Sequence, residues 1–465
     1  IYYLIIKLFI KYKKFYFIFL VLIIFFNLLY YFGALSPLKQ ILPSQIKNFL
    51  TNTILYIPSK LKQHSGVYKL YEREKKYNYQ LETKIDRLET LKDAVNTEVF
   101  PKTQFIELEY SSYNISSIEK KKNIYTSEIT SPFYLEIYND YLLINSRTGK
   151  FFYIPIDSFK NNKPEQILIN NNLKSNIEIT DTLVHKNDLF VAFYDREKDC
   201  DNISIYKTKI DMEYLKFEKF YESTTAIGKC ERRDTVAGRI TLYKHENNYG
   251  LLASVPSVKD MDIPDTMDQF NVSKEFKFSG LIFIDFDKKK NLLFAVGFRN
   301  PQGLVVTSNN NILSSEHGPR GGDEINNINF SKNYGWPTAS YGENYYKNYK
   351  ESEEYQFKKN HKKFGYEEPV FAFVPSIAPS QLIEIDENFS KKWKQTILLS
   401  TLKSKSLYRM TFDENYSRLI TYEKIFVGKR IRDIVYGAKH GLIFLAEETG
   451  QGTVGVINVK RTKNK

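Results

Sequence analysis

The sequence predicts an all-β domain of the propeller type, carried behind one transmembrane helix and a short helical stalk. Three observations predict it. From about Phe100 to the C-terminus, short runs rich in β-branched and aromatic residues alternate with turns of Asn, Asp, Gly and Lys. Residues Phe15 to Phe32 form an apolar run broken only by Asn27. Between the two, Leu81, Ile85, Leu88, Leu91 and Val95 recur at three- and four-residue steps amid charged residues. The chain divides accordingly into 1–35 (cytoplasmic tail and signal anchor), 36–99 (stalk or linker) and 100–465 (propeller).

The apolar run is just long enough, at helical rise, to cross a hydrocarbon core of roughly 30 Å. Lys7, Lys11, Lys13 and Lys14 precede it. Positive charge on that side places the N-terminus in the cytoplasm and the rest of the chain outside. A cleaved signal peptide is the alternative. The run is long for that role, and no small-residue cleavage site follows at Phe32-Gly33-Ala34-Leu35. The expected location is therefore the inner membrane, with the propeller in the periplasm. The stalk periodicity, over Tyr71 to Thr97, fits either a short coiled coil that would join copies of the chain or a helix packed on the domain.

The β-rich runs include Phe133–Ile137, Tyr141–Ile144, Lys150–Ile154, Leu189–Phe193, Ile203–Tyr206, Gly280–Asp285, Leu292–Val296, Thr396–Ser400, Leu407–Met410, Gly441–Ala446 and Gly455–Val459. So many short strands exceed one sandwich and suit a propeller. Tyr341 to Lys363 reads as a long polar loop within it. The counts of 35 Tyr and 34 Phe raise strand propensity. The net charge of +13 is spread along the chain. No zinc-finger spacing or RNA-binding aromatic signature accompanies it, so nucleic acid is not an expected partner. Cys200 and Cys230, the only two cysteines, lie in turn-like sequence and are expected to pair in an oxidising compartment.

The chemistry concentrates in Gly297–Gly303 (GFRNPQG), Glu316–Glu324 (EHGPRGGDE) and Asn333–Pro337 (NYGWP). Glycines there admit close backbone approach to a ligand. Arg299 offers a planar fork to an anionic or quinoid oxygen. The carbonyls of Gly318 and Pro319 suit a hard cation. Further segments are Phe373–Ser380 (FVPSIAPS), Leu402-Lys403 and Gly428–Asp433 (GKRIRD).

In this order and spacing the segments resemble the pyrroloquinoline-quinone (PQQ) dependent aldose sugar dehydrogenases, the glucose/sorbosone dehydrogenase family. The resemblance runs from about Gly297 to the C-terminus and is faint before it. It implies six blades and oxidation of an aldose at C1 by hydride transfer to the quinone. It implies cofactor contacts at Arg299, Asn300, Gln302, Lys403, Arg430 and Arg432, with a hydroxyl from Ser376. PQQ carries three carboxylates and an ortho-quinone, which explains cations and amides on several loops. It also implies Ca²⁺ on the Gly318 and Pro319 carbonyls, with charge from Asp323 or Glu324. Arg299 would stabilise the reduced oxygens. His317 reads as structural.

One departure matters. The family's proton acceptor is a His, oriented by an Asp, that begins a His-x-x-Gly-Arg-like motif. The matching segment here is Thr235-Val-Ala-Gly-Arg239, with Thr235 at the His position. The Asp would fall near Pro256 or Ser257. Asp234 is the neighbouring carboxylate that would have to substitute. Two other readings stay open: a non-catalytic propeller that keeps the ligand site, and an interaction module with an empty funnel.

Overall fold

The structure, a computed structural model, describes residues 106–115, 132–161, 164–174, 177–195, 202–222, 238–256, 280–287, 291–343, 357–448 and 452–460. The expected anchor, the stalk, both cysteines, Thr235, Asp234 and Ser257 lie outside these residues. No helix among the described residues is long and apolar enough to cross a membrane.

The described strands form six sheets of four or five strands, mostly antiparallel. Strand β1 (Leu108–Asn114) comes first in the chain. Blade 1 follows as β2 (Phe133–Tyr138), β3 (Tyr141–Ser146), β4 (Phe151–Pro155) and β5 (Ile167–Asn171). Blade 2 is β6 (Ile177–His185), β7 (Asp188–Asp195), β8 (Asn202–Lys209) and β10 (Glu218–Glu222). Between β8 and β10, the two-residue β9 (Tyr214–Leu215) pairs in parallel with β5. Blade 3 is β11 (Ile240–His245), β12 (Asn248–Val255), β13 (Gly280–Asp285) and β14 (Asn291–Val296), extended by β18 (Lys332–Asn333). Blade 4 is β15 (Pro301–Val306), β16 (Ile312–Glu316), β17 (Asp323–Ile328) and β19 (Phe371–Phe373). Blade 5 is β20 (Pro379–Ile385), β21 (Thr396–Thr401), β22 (Ser406–Phe412) and β23 (Leu419–Phe426). Blade 6 is β24 (Ile431–Gly437), β25 (Leu442–Glu448), β26 (Gly452–Val459) and, as its outer strand, β1.

The first strands of the blades touch in a closed ring, β2 to β6, β11, β15, β20, β24 and back to β2. The fold is a six-bladed β-propeller. Strand β1 seals it by pairing in antiparallel register with β26, from Leu108 opposite Val459 to Asn114 opposite Thr453.

Side-chain alternation explains the packing. Successive residues of a strand face opposite sides of its sheet, and here both sides meet another blade. Leu251, Ala253 and Val255 of β12 join β13's Ile282 and Ile284 in the cluster between blades 2 and 3. Leu252, Leu281 and Phe283 face the cluster between blades 3 and 4. Middle strands such as β13, β16 and β21 are therefore buried along their length, whereas outer β23 alternates half-buried and exposed residues. Each of the six blade interfaces holds one such cluster. Full burial of one Leu, Ile or Phe contributes about 1.5–3 kcal/mol.

The connection from β18 to β19 differs from a purely polar loop. Tyr341 and His361, near its two ends, are buried with ring centroids 5.3 Å apart. A 3₁₀ turn over His361–Phe364 is capped by Asn360, whose side chain accepts from the Lys363 N–H.

Candidate functional site

Each blade's first strand starts on one face of the ring, and its second strand returns to that face. Loops entering the first strands and loops joining second to third strands therefore share a face. This topology collects the candidates. Arg299 and Asn300 precede β15, Ser376 precedes β20, Arg430 precedes β24, and Gln302 and Arg432 lie at the starts of β15 and β24. His317, Gly318 and Pro319 lie between β16 and β17, and Lys403 lies between β21 and β22.

A continuous polar chain joins four of them. Gln302 Nε2 donates to Asn300 Oδ1 at 2.8 Å. Arg432 Nη1 donates to Gln302 Oε1 at 3.2 Å. The Nε and Nη2 of Arg432 both reach Glu448 Oε2, at 3.2 and 3.0 Å. Arg430 Nη2 meets the other oxygen of Glu448 at 3.4 Å. Asn300 and Gln302 are buried, Arg432 is half-buried and Arg430 is exposed. Lys403 is exposed, and its N–H donates to the Ile377 carbonyl, which sets its loop against that of Ser376.

Arg299 lies over the Trp336 ring at 5.4 Å and donates to the carbonyls of His317 and Gly318 at 3.0 and 3.3 Å. The Gly318 carbonyl expected for a cation is thus held by a guanidinium. Asp323, expected to add charge there, is fully buried. Its Oδ1 accepts from the Gly318 N–H at 3.0 Å. Its Oδ2 accepts from Ser376 Oγ at 2.7 Å and from the Ile377 and Ala378 N–H groups at 2.8 Å. Asp323 therefore ties two loops together, and Ser376 is one of its donors. His317 Nε2 lies 2.7 Å from the Pro379 carbonyl, joining the β16–β17 loop to β20. Burial pushes its imidazole below the usual value. Gly318 needs its missing side chain, since a Cβ would stand 2.2 Å from the Gly321 carbonyl oxygen.

The two carboxylates that end the Glu316–Glu324 segment are both buried here. Glu316 is buried and accepts the Arg299 N–H at 2.7 Å and Asn326 Nδ2 at 3.0 Å. Burial pushes its carboxyl up to about 7, against those N–H donors. Glu324 is pushed well up too, first by burial and then by the charge of Glu316. A cavity of about 10 Å³, lined in part by Arg299, Glu316, Gly318, Glu324 and Trp336, has room for one water-sized group. A quinone does not fit inside it. No cluster of three or more His, Cys, Asp or Glu side chains suited to a metal occurs among the described residues.

Beneath the polar chain lies Arg239. Its side chain is 3% exposed and bridges Asp181 and Asp433, each at 2.8 Å. The quoted motif contains Arg239, but nothing in that segment marks it as the bridging residue. Pro256, near the position expected for an orienting Asp, is buried.

The sequence matches the Glucose / Sorbosone dehydrogenase family over residues 176–456. The chain belongs to this family. Among curated relatives, the aldose sugar dehydrogenase YliI of Escherichia coli is 35% identical over 162 residues, which are 34% of this chain and 41% of the relative. Quinoprotein glucose dehydrogenase B of Acinetobacter calcoaceticus is 26% identical over 206 residues, 34% of this chain and 43% of the relative. The matched segments thus span about two fifths of these relatives' length. Among solved structures, the apo-form soluble aldose sugar dehydrogenase of Escherichia coli superposes with a TM-score of 0.56 at 18% identity, over 76% of this chain and 100% of that one. The PQQ-bound aldose sugar dehydrogenase of Streptomyces coelicolor gives 0.52 at 13%, over 77% and 99%. At those identities the superpositions bear on the fold alone.

The residues fit a quinone with several carboxylates. Arg299, Lys403 and the pair Arg430 and Arg432 bring cationic groups from three segments to one face, beside the amides of Asn300 and Gln302. They do not fit Ca²⁺ at Gly318 as the side chains stand, because Arg299 holds that carbonyl and Asp323 has both oxygens on protein donors.

Proposed function

We propose that the chain is a PQQ-binding, sugar dehydrogenase-like propeller, anchored in the inner membrane with its funnel in the periplasm, whose natural reaction is C1 oxidation of an aldose. The carrying observation is the unbroken chain Asn300–Gln302–Arg432–Glu448–Arg430, with Arg299 and Lys403 on the same face. Charge-assisted bonds from these guanidiniums and the ammonium would hold the cofactor's carboxylates. Bound PQQ would supply a hydride acceptor. Arg299, which lies over the Trp336 ring, would stabilise oxygen charge as it develops. A proton must also leave the sugar hydroxyl. Thr235 has no useful basicity, and loss of a general base costs a factor of about 10² to 10⁴. Turnover is therefore expected to be weak unless Asp234 substitutes. The same substitution favours the second reading, a propeller that binds the ligand without turnover.

Ca²⁺ enters this reading through Arg299. A quinone that draws Arg299 away frees the Gly318 carbonyl, so the two ligands should bind cooperatively. PQQ should raise the thermal midpoint of the purified protein, Ca²⁺ alone should not, and both together should raise it most. Dye reduction with a panel of aldoses then separates the two readings. Robust turnover identifies an enzyme with another base. A thermal shift without turnover identifies the binding protein, and no shift with PQQ removes both. The membrane topology has its own check: a reporter fused after residue 100 should be active only in an exported form, and cytoplasmic activity would reverse it.

A further inference from the structure

We infer that Arg239 is the positioning residue of the funnel: one buried guanidinium fixes where Gln302 and Arg432 stand, and through them Asn300 and Arg430. The inference rests on the quinone-site reading above for its functional consequence, and on geometry for the rest.

Arg239 is the residue before β11, yet its side chain meets the first strand of every other blade. Its Nε donates to the Gln302 carbonyl of β15 at 2.7 Å. Its Nη1 donates to Asp181 of β6 and Asp433 of β24, both at 2.8 Å. Its Nη2 donates to the Arg432 carbonyl of β24 at 3.0 Å and lies 3.5 Å from Ser380 Oγ of β20. The guanidinium carbon stands 5.2 Å from the centre of the Tyr134 ring on β2. Only a planar fork with several N–H groups reaches acceptors diverging in this way; an ammonium offers three donors from one point.

The surroundings deliver the fork to the axis. Gly238 packs so closely on β6 that a Cβ there would stand 2.3 Å from Thr180 Oγ1, and that hydroxyl donates to the Gly238 carbonyl at 3.2 Å. Asp181 Oδ2 accepts the Ile240 N–H at 2.9 Å, and Asp433 Oδ2 accepts the Leu135 N–H at 2.8 Å. Each carboxylate therefore has one oxygen on Arg239 and the other on a backbone N–H. Ser380 Oγ also donates to the Arg432 carbonyl.

The consequence concerns two strands that are not neighbours. Strands β15 and β24 are separated in the ring by β20, yet the side chains of Gln302 and Arg432 meet at 3.2 Å. Their heights must be set relative to each other, and Arg239 bonds the backbone carbonyl of both residues. Arg239 thus has a task of its own, independent of what stands at the first position of the Thr235–Arg239 segment. The Arg belongs to the binding surface's foundation and does not depend on proton transfer.

The test compares Arg239→Lys with Leu251→Ala, a destabilising change in the apolar cluster between blades 2 and 3. PQQ affinity is measured by fluorescence titration well below both thermal midpoints. Arg239→Lys keeps the charge and loses the fork, so affinity should fall about tenfold or more, as for loss of one or two charge-assisted contacts. Leu251→Ala should leave it within about twofold, because distant sites act nearly independently. Without added quinone, the side-chain amide signals of Gln302 and Asn300 in ¹⁵N spectra should move in Arg239→Lys and stay in Leu251→Ala. Ser380→Ala, which removes one arm and keeps Arg239, guards against a fold failure and should weaken PQQ about threefold. Wild-type affinity together with unmoved amide signals in Arg239→Lys would overturn the inference and leave Arg239 a purely structural ion pair. If wild-type protein binds no PQQ, the quinone reading fails by itself, and the amide signals still decide the positioning role.

Discussion

Asp181 and Asp433 are buried against one guanidinium, and their burial gives the fold a pH dependence. Burial pushes Asp181 from 3.8 up to about 7; Arg239 opposes the shift and Asp433 adds to it. Asp433 is raised in the same way. On β2, Glu136 faces the pair and is raised well above its usual value, by burial first and then by Asp181 and Asp433. A carboxyl whose folded pKa lies above its unfolded one binds more protons in the folded state. Its stabilisation is complete below about pH 4 and is lost as pH rises through about 7. The thermal midpoint should therefore fall across that window, and Asp181→Asn should flatten the fall by the share of one proton. Calorimetry from pH 4 to 8 checks this; equal slopes in the two proteins would show that Asp181 is ionised throughout.

At the scale of elements, the strands were legible because their apolar runs are long and their turns polar. The runs at Phe133–Ile137, Gly280–Asp285 and Thr396–Ser400 coincide with β2, β13 and β21. The repeat was not legible. In blades 1, 2 and 3 the hairpin between the first two strands begins with a residue at positive φ, Asn139 at 53°, Lys186 at 55° and Glu246 at 53°. The geometry recurs while the residue changes, so self-similarity by residue type is lost. Lys and Glu pay a steric cost there that Asn pays least. Of the candidates, Arg299, Asn300, Gln302, Ser376, Arg430 and Arg432 stand out in the sequence because they sit in or beside glycine- or proline-marked segments, and Lys403 only through the family resemblance; the PQQ titration tests whether they hold a cofactor. Glu448 does not stand out, because it ends an ordinary strand and acts only through the arginines that β24 brings beside it. Asp323 was expected to add charge to a cation site, as its residue type suits; here the N–H groups of Gly318, Ile377 and Ala378 and the Ser376 hydroxyl occupy its oxygens.

At the scale of the whole propeller, the ring of blades is completed by two strands far apart in sequence. β1 pairs with β26, and it also brings Tyr110 and Ser112 to Glu447, a carboxylate with no exposure at all. Gly455 lies under this contact, where a Cβ would stand 2.5 Å from Glu447 Oε1, so the strand can sit close. Without β1 the ring of blades still has its first strands, but blade 6 presents the unpaired edge of β26 and uncovers Glu447. An open edge is a template for pairing with another chain. A protein beginning at Ile106 should keep the parent's thermal midpoint, whereas one beginning at Ile115 should melt several degrees lower and associate with itself. A synthetic peptide of residues 106–115 should restore the shorter protein, because an added strand supplies the missing main-chain bonds in register. Melting and light scattering with and without the peptide measure both effects. Equal midpoints for the two truncations would mean that blade 6 is complete with three strands, and that the propeller does not need its N-terminal strand to close.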